Sequence, residues 1–100
     1  MAEWLCIIRP PRENFAATMT DVEKDAWGRH AARLAAGVED GSVLLAGPTL
    51  GVVNMGVMVF EADDEDAAWA FVNADPTVAE GHVTPELHPF RASFVRRNPR

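Results

Sequence analysis

The chain has one cysteine, Cys6, in 100 residues. That excludes an intrachain disulfide and a cysteine-based metal site. Cys6 lies in an apolar run and reads as a small buried hydrophobe. Long apolar runs are missing as well, since none approaches the ~18 residues of a membrane span. Met1-Ala2-Glu3 carries an acid where a secretory leader carries basic residues. The expected setting is the cytoplasm, away from membranes. Basic residues are scarce: 9 Lys and Arg against 15 Asp and Glu give a net charge of −6. Nucleic-acid modules normally show a basic face, so none is expected here. The three histidines, His30, His82 and His88, have neither HxH nor HxxxH spacing, so no metal site is expected. No phosphate-binding glycine motif, nucleotide fingerprint or flavin signature occurs, and Gly51–Gly56 is not one. No cofactor is expected.

What remains is an ordinary globular composition, 48% hydrophobic and 24% charged, without repeats or low-complexity segments. Residues 1–100 are expected to form one domain. A chain of this size buries only ~60–65% of its unfolded surface, so a lone protomer is modestly stable. The acids of Glu61–Asp66 read as a solvated helix start. Arg91, Arg96, Arg97 and Arg100 read as a basic, loosely ordered tail over residues 91–100.

Trp4–Arg9 is a short apolar run ended by Pro10-Pro11, a strand covered on both faces. Arg12–Thr20 reads as a connecting loop. Thr20 and Glu23 have capping-box spacing, so a helix starts near Asp21, and Gly41 stops it after Asp40. Val43–Ala46 is a second strand, ended by Gly47-Pro48. Thr49–Asn54 links it as a hairpin to a third, Gly56–Phe60. Asp63 or Asp64 caps a second helix, which must end before Pro76. A short turn, Pro76–Glu80, stops at Gly81, and Val83–Phe90 is the last strand. The order predicts an α+β, ferredoxin-like βαββαβ fold with a four-stranded antiparallel sheet. Pro85 and Pro89 place the last strand at an edge.

Two helices cover one face of such a sheet. Yet Leu5 and Ile7 oppose Trp4, Cys6 and Ile8, and Val57 and Val59 oppose Met58 and Phe60, so both faces are apolar. The economical cover is a second copy, a homodimer formed through the helix-free face that closes a dimeric α/β barrel.

His30 is the misfit. At ~100° per residue it falls inside the arc of Ala26, Trp27, Ala31, Leu34 and Val38. It admits two roles: a core-edge histidine bonded to a carbonyl and water, or a general acid/base. Asp75, before Pro76, is a natural N-cap with proline at the next position. The Pro76 turn also lets it dip toward the sheet, where it could fix the tautomer of His30. His82 and His88 read as surface residues. Phe15, Trp27 and the Gly47-Pro48 turn are candidate cleft walls. Arg9 is a candidate anion contact, or else a surface charge.

Four segments resemble the YCII-related (YciI-like) family. They are His30–Leu34, Glu39–Pro48 with its Ala-Gly-Pro ending, Phe60–Trp69 with its acidic helix start, and Ala74–Gly81 followed by a strand ending Leu87-His-Pro-Phe90. The resemblance implies a ferredoxin-like protomer, a dimeric α/β barrel, and His30 and Asp75 as a His–Asp pair in a cleft. A few relatives are cofactor-independent dehydrochlorinases or lyases acting on hydroxylated, chlorinated rings. The Pro10–Asp21 segment, with Phe15 and Met19, is longer than in the shortest members. Two functions are therefore expected to compete. One is a cofactor-free lyase or isomerase for a small cyclic or phenolic substrate. The other is a non-catalytic dimeric module that binds a small ligand or a partner protein.

Overall fold

The structure, a computed structural model, describes residues 2–96, so Arg97 and Arg100 of the basic tail lie outside the described residues. The elements run β1 (Ala2–Arg9), α1 (Phe15–Thr18), α2 (Asp21–Asp40), β2 (Val43–Pro48), β3 (Gly56–Ala62), α3 (Glu65–Asn73), α4 (Pro76–Ala79) and β4 (Thr84–Phe90). The sheet order is β2-β3-β1-β4, all antiparallel, as the ferredoxin-like topology requires. β4 lies at an edge, where its prolines interrupt no central ladder.

Alternation along β1 divides the two faces. Trp4, Cys6 and Ile8 point to the helices and are buried, together with Met58, Phe60 and Ala62 of β3. Ala68 and Val72 of α3 close this core. Trp4 Nε1–H donates to the Ala62 carbonyl at 3.2 Å, which satisfies the one polar atom of that ring. Phe60 and Phe71 stack at 4.6 Å between centroids. On the other face Leu5, Ile7 and Val57 are half-buried, and Leu45 is exposed.

α2 begins with the predicted capping box. Glu23 N–H donates to Thr20 Oγ1 at 3.2 Å, and Thr20 N–H donates to Glu23 Oε1 at 2.8 Å. Arg12 grips the same carboxylate at 2.6 and 3.0 Å, and its hydrogen bond does most to hold that carboxyl down to about 2. Gly41 ends the helix at φ 89°, the left-handed region that suits glycine. Asp64 caps α3 by accepting from Ala67 N–H at 2.8 Å.

The structure corrects two expectations. The Arg12–Thr20 connection is not all loop: α1 forms because Phe15, 1% exposed, anchors it and Thr18 Oγ1 donates to the Asn14 carbonyl at 2.9 Å. The apolar arc of α2 is also only partly a core face. Ala26, His30 and Gly37 are buried, whereas Ala31 and Val38 are exposed. β2 comes so close to α2 at Gly37 that a Cβ there would lie 2.5 Å from Val43 Cγ2. The contact seam therefore runs through Gly37, and the residues beside it border a cavity instead. Beyond β4, Ala92 N–H donates to Glu3 Oε1 at 2.7 Å.

Candidate active site

The cavity lies between α2 and the sheet. It encloses about 330 Å³, within the range of small-molecule sites and about twice the size of a cavity that holds benzene. Trp27, Leu34 and Ala35 of α2 form one wall. Cys6, Ile8, Ala46, Gly47, Pro48, Gly56 and Met58 form the sheet side, and Val72 and Val78 close the end. Among the described residues its ionisable lining groups are His30, Asp75 and Cys6, and no Lys or Arg side chain lines it. Among the described residues no three His, Cys, Asp or Glu side chains are grouped so as to hold a metal ion.

His30 and Asp75 meet there. His30 Nδ1 is 2.6 Å from Asp75 Oδ2, with both side chains nearly buried. Asp75 is brought to this point by its role in α4. Its Oδ1 accepts Thr77 N–H at 2.9 Å as an N-cap, with Pro76 next in the chain, and also accepts Thr77 Oγ1–H at 2.6 Å. One oxygen thus fixes the turn and the other faces the imidazole. Burial alone would raise the Asp75 carboxyl. The bonds from His30 and Thr77, with the attraction of His30, outweigh burial and hold it below the usual carboxylate range. Asp75 is therefore an anion at neutral pH and an acceptor only. The proton between them therefore sits on Nδ1. No hydrogen bond from the described residues engages Nε2.

The neighbours orient the imidazole. The Trp27 ring lies 4.8 Å from it, and Phe15 braces Trp27 edge-on at 5.6 Å. Cys6 sits below as a neutral thiol, raised to about 11 first by burial and then by the charges of Asp75 and Glu86. Of the residues singled out from sequence, His30, Asp75, Trp27, Gly47 and Pro48 line the cavity. Phe15 and Arg9 do not. Phe15 lies behind Trp27. Arg9 Nε donates to Glu86 Oε1 at 2.6 Å across the β1–β4 pair. His88 Nε2 lies 3.2 Å from Glu86 Oε2, and His82 is half-buried beside Glu80. Thr77, Cys6 and Gly56 are site residues that sequence spacing had not marked. For Thr77 a signal existed, because an N-cap bonds the amide two or three positions on.

Two expected results follow from these contacts. Thr77→Val keeps the shape of a fully buried side chain but removes a hydrogen bond to a carboxylate. It should cost about 1.5–3 kcal/mol, read as a lower denaturation midpoint at unchanged m. A Cβ on Gly56 would lie 2.5 Å from Ile8 Cγ1 and 2.8 Å from Cδ1. Gly56→Ala therefore forces Ile8 to move against the cavity that both residues line. It should cost about 1–3 kcal/mol and weaken any ligand that fills the space, read by melting temperature and titration.

The chain matches the YCII-related domain over residues 3–90. It belongs to the YCII-related family. No curated protein matches it. Among solved structures it is similar to 5-chloro-2-hydroxyhydroquinone dehydrochlorinase (TftG) from Burkholderia phenoliruptrix AC1100, in complex with 2,5-dihydroxybenzoquinone. The TM-score is 0.66 at 22% identity, over 88% of this chain and 93% of that one. At that identity the likeness shows the shared fold. No described helix of this YCII-related chain is long and apolar enough to cross a membrane.

Proposed function

We propose that this YCII-related protein is a small cofactor-independent enzyme that moves a proton on a small cyclic or phenolic substrate, as a lyase or isomerase. The carrying observation is the 2.6 Å contact of His30 Nδ1 with Asp75 Oδ2 in the lining of a largely apolar cavity. Asp75 fixes the tautomer, and Nε2 takes a proton from a bound C–H or O–H acid. In elimination, the electron pair of that bond forms a new π bond as the leaving anion departs, and the proton follows into solvent. In isomerisation, the imidazolium returns the proton to a different atom. Both balance without oxidant or reductant. Trp27 and the Gly47-Pro48 turn confine the ring. The fold neighbour holds a single-ring quinone and is named for loss of hydrogen chloride. Chlorinated hydroquinones are therefore the first substrates to try. Chloride release from 5-chloro-2-hydroxyhydroquinone that falls in His30→Ala supports the assignment. Release at the same rate in that variant overturns it, and ligand binding with no proton exchange in D2O would assign a binding module instead.

A homodimer is part of this proposal. α2 and α3 leave Leu5, Ile7 and Val57 on the opposite face, with Leu45 and Phe94 exposed. A second copy packed sheet to sheet would bury that row. Light scattering at micromolar concentration should give twice the chain mass, and a stable monomer there would remove the dimer from the proposal.

A further inference from the structure

Among the described residues, Arg33 is the charged group beside the pair that the proton-transfer scheme leaves unused. It stands three residues after His30 on α2, hence on the same side of the helix. Its guanidinium carbon lies over the Phe71 ring, 4.2 Å from the centroid. NH2 donates to the Phe71 carbonyl at 2.7 Å, in the last turn of α3, which has no basic residue of its own there. That much is packing and helix capping. NH1 is different. It is buried without a hydrogen-bond partner and points to the oxygen that His30 uses, 3.6 Å from Asp75 Oδ2.

We propose that Arg33 is a positioning residue that shares Asp75 Oδ2 with His30 and sets the charge of the pair. In the form able to act as a base, with Arg33 cationic, Asp75 anionic and His30 neutral, the site carries no net charge. When His30 takes a proton the site becomes +1, and it returns to neutral when the conjugate base of the substrate stays bound as an anion. Without Arg33 the resting site is −1, proton transfer brings it only to neutral, and the complex with that anion carries an uncompensated −1 within a cavity of low polarity. The site therefore suits a neutral acid whose conjugate base is a stabilised anion, an enol or phenol for example. A substrate that arrives with a fixed carboxylate is disfavoured. The other ionisable groups near His30 leave the count unchanged. Cys6 of β1 is a neutral thiol, and Arg29 of α2 is paired with Glu80 at 2.5 Å on the exposed side.

The use of this device rests on the proton-transfer proposal, but its test does not need turnover. The ring signals of His30 are titrated by NMR in the wild type, Arg33→Met and Arg33→Lys. Loss of the cation removes a like charge from the imidazolium and a competitor for Asp75. Arg33→Met should therefore raise the proton affinity of His30 about tenfold or more. Arg33→Lys keeps the charge and should stay within about threefold of wild type. If Arg33 only capped α3 and packed on Phe71, Arg33→Met would lower the melting temperature and leave the titration where it was. That result overturns the proposal. Should Arg33→Met fail to fold, Arg33→Gln keeps a donor for the Phe71 carbonyl and serves the same comparison. An unmoved titration alongside a His30→Ala variant that has lost turnover discards the role of Arg33 alone. A moved titration alongside unchanged turnover in His30→Ala discards the enzyme and keeps the charge coupling.

Discussion

His30→Ala should lower turnover by about 10²–10⁴-fold, the contribution of one positioned base, while the protein stays folded. Both halves follow from the contacts of Asp75. The substitution removes the only imidazole in the cavity. Asp75 is not orphaned by it, because Thr77 N–H and Oγ1–H still donate at 2.9 and 2.6 Å and Arg33 remains nearby. The loss is one hydrogen bond to a charged group plus a small void, about 1.5–3 kcal/mol against a typical total of about 5–15. Circular dichroism and the melting curve check the fold, and initial rates check the chemistry. Substrate affinity should change little, because the walls are apolar and unaltered. A variant that lost affinity and kept its rate would make His30 a binding contact, not a base.

The fold was legible because local signals agreed with the global pattern. Thr20 and Glu23 announced the start of α2, Gly41 its end, and Pro76 the limit of α3, and each stands where the backbone turns. Paired prolines announced the edge strand. The site was half legible. His30 stood out because an imidazole interrupted an apolar arc. Asp75 had two explanations, helix cap and partner of His30, and its two carboxylate oxygens satisfy both geometries. The illegible part depends on contacts between distant elements. Arg9 has the same composition cue as Arg33, one basic residue near an apolar run. Glu86 lies opposite Ile7, two residues before Arg9 in β1, and binds Arg9. Phe71 and Asp75 turn back on Arg33 from across the core. Nothing in the spacing separates these outcomes. The boundary between core and cavity along α2 was likewise hidden, because Val38 suits either an apolar core or an apolar rim.

Asp75→Ala and Asp75→Asn should separate the two duties of this residue. Asp75→Ala deletes the α4 cap, leaves His30 Nδ1–H and Thr77 Oγ1–H without their acceptor in a buried site, and leaves Arg33 without the carboxylate 3.6 Å from its NH1. Uncompensated buried charge costs about 3–5 kcal/mol, a fall in Tm on the order of 15–30 °C for a domain of this size. Asp75→Asn keeps an acceptor for Thr77 and should be milder in stability. It presents an amide N–H₂ to Nδ1, so the ring must turn its tautomer, accept at Nδ1 and carry its proton on Nε2. The base is then blocked, and turnover should fall about as far as in His30→Ala. Nitrogen shifts of the ring report the tautomer directly. The pH dependence has a definite sign. The Asp75 carboxyl lies below the usual range in the folded protein, so its share of stability is present above about pH 4 and is lost as pH falls through the lowered value. The wild type should therefore lose stability in acid faster than Asp75→Asn, and the gap between their denaturation midpoints should close as pH drops. A gap that stayed constant from pH 6 to about pH 2 would mean that the carboxylate charge contributes nothing and that shape alone holds the α3–α4 turn.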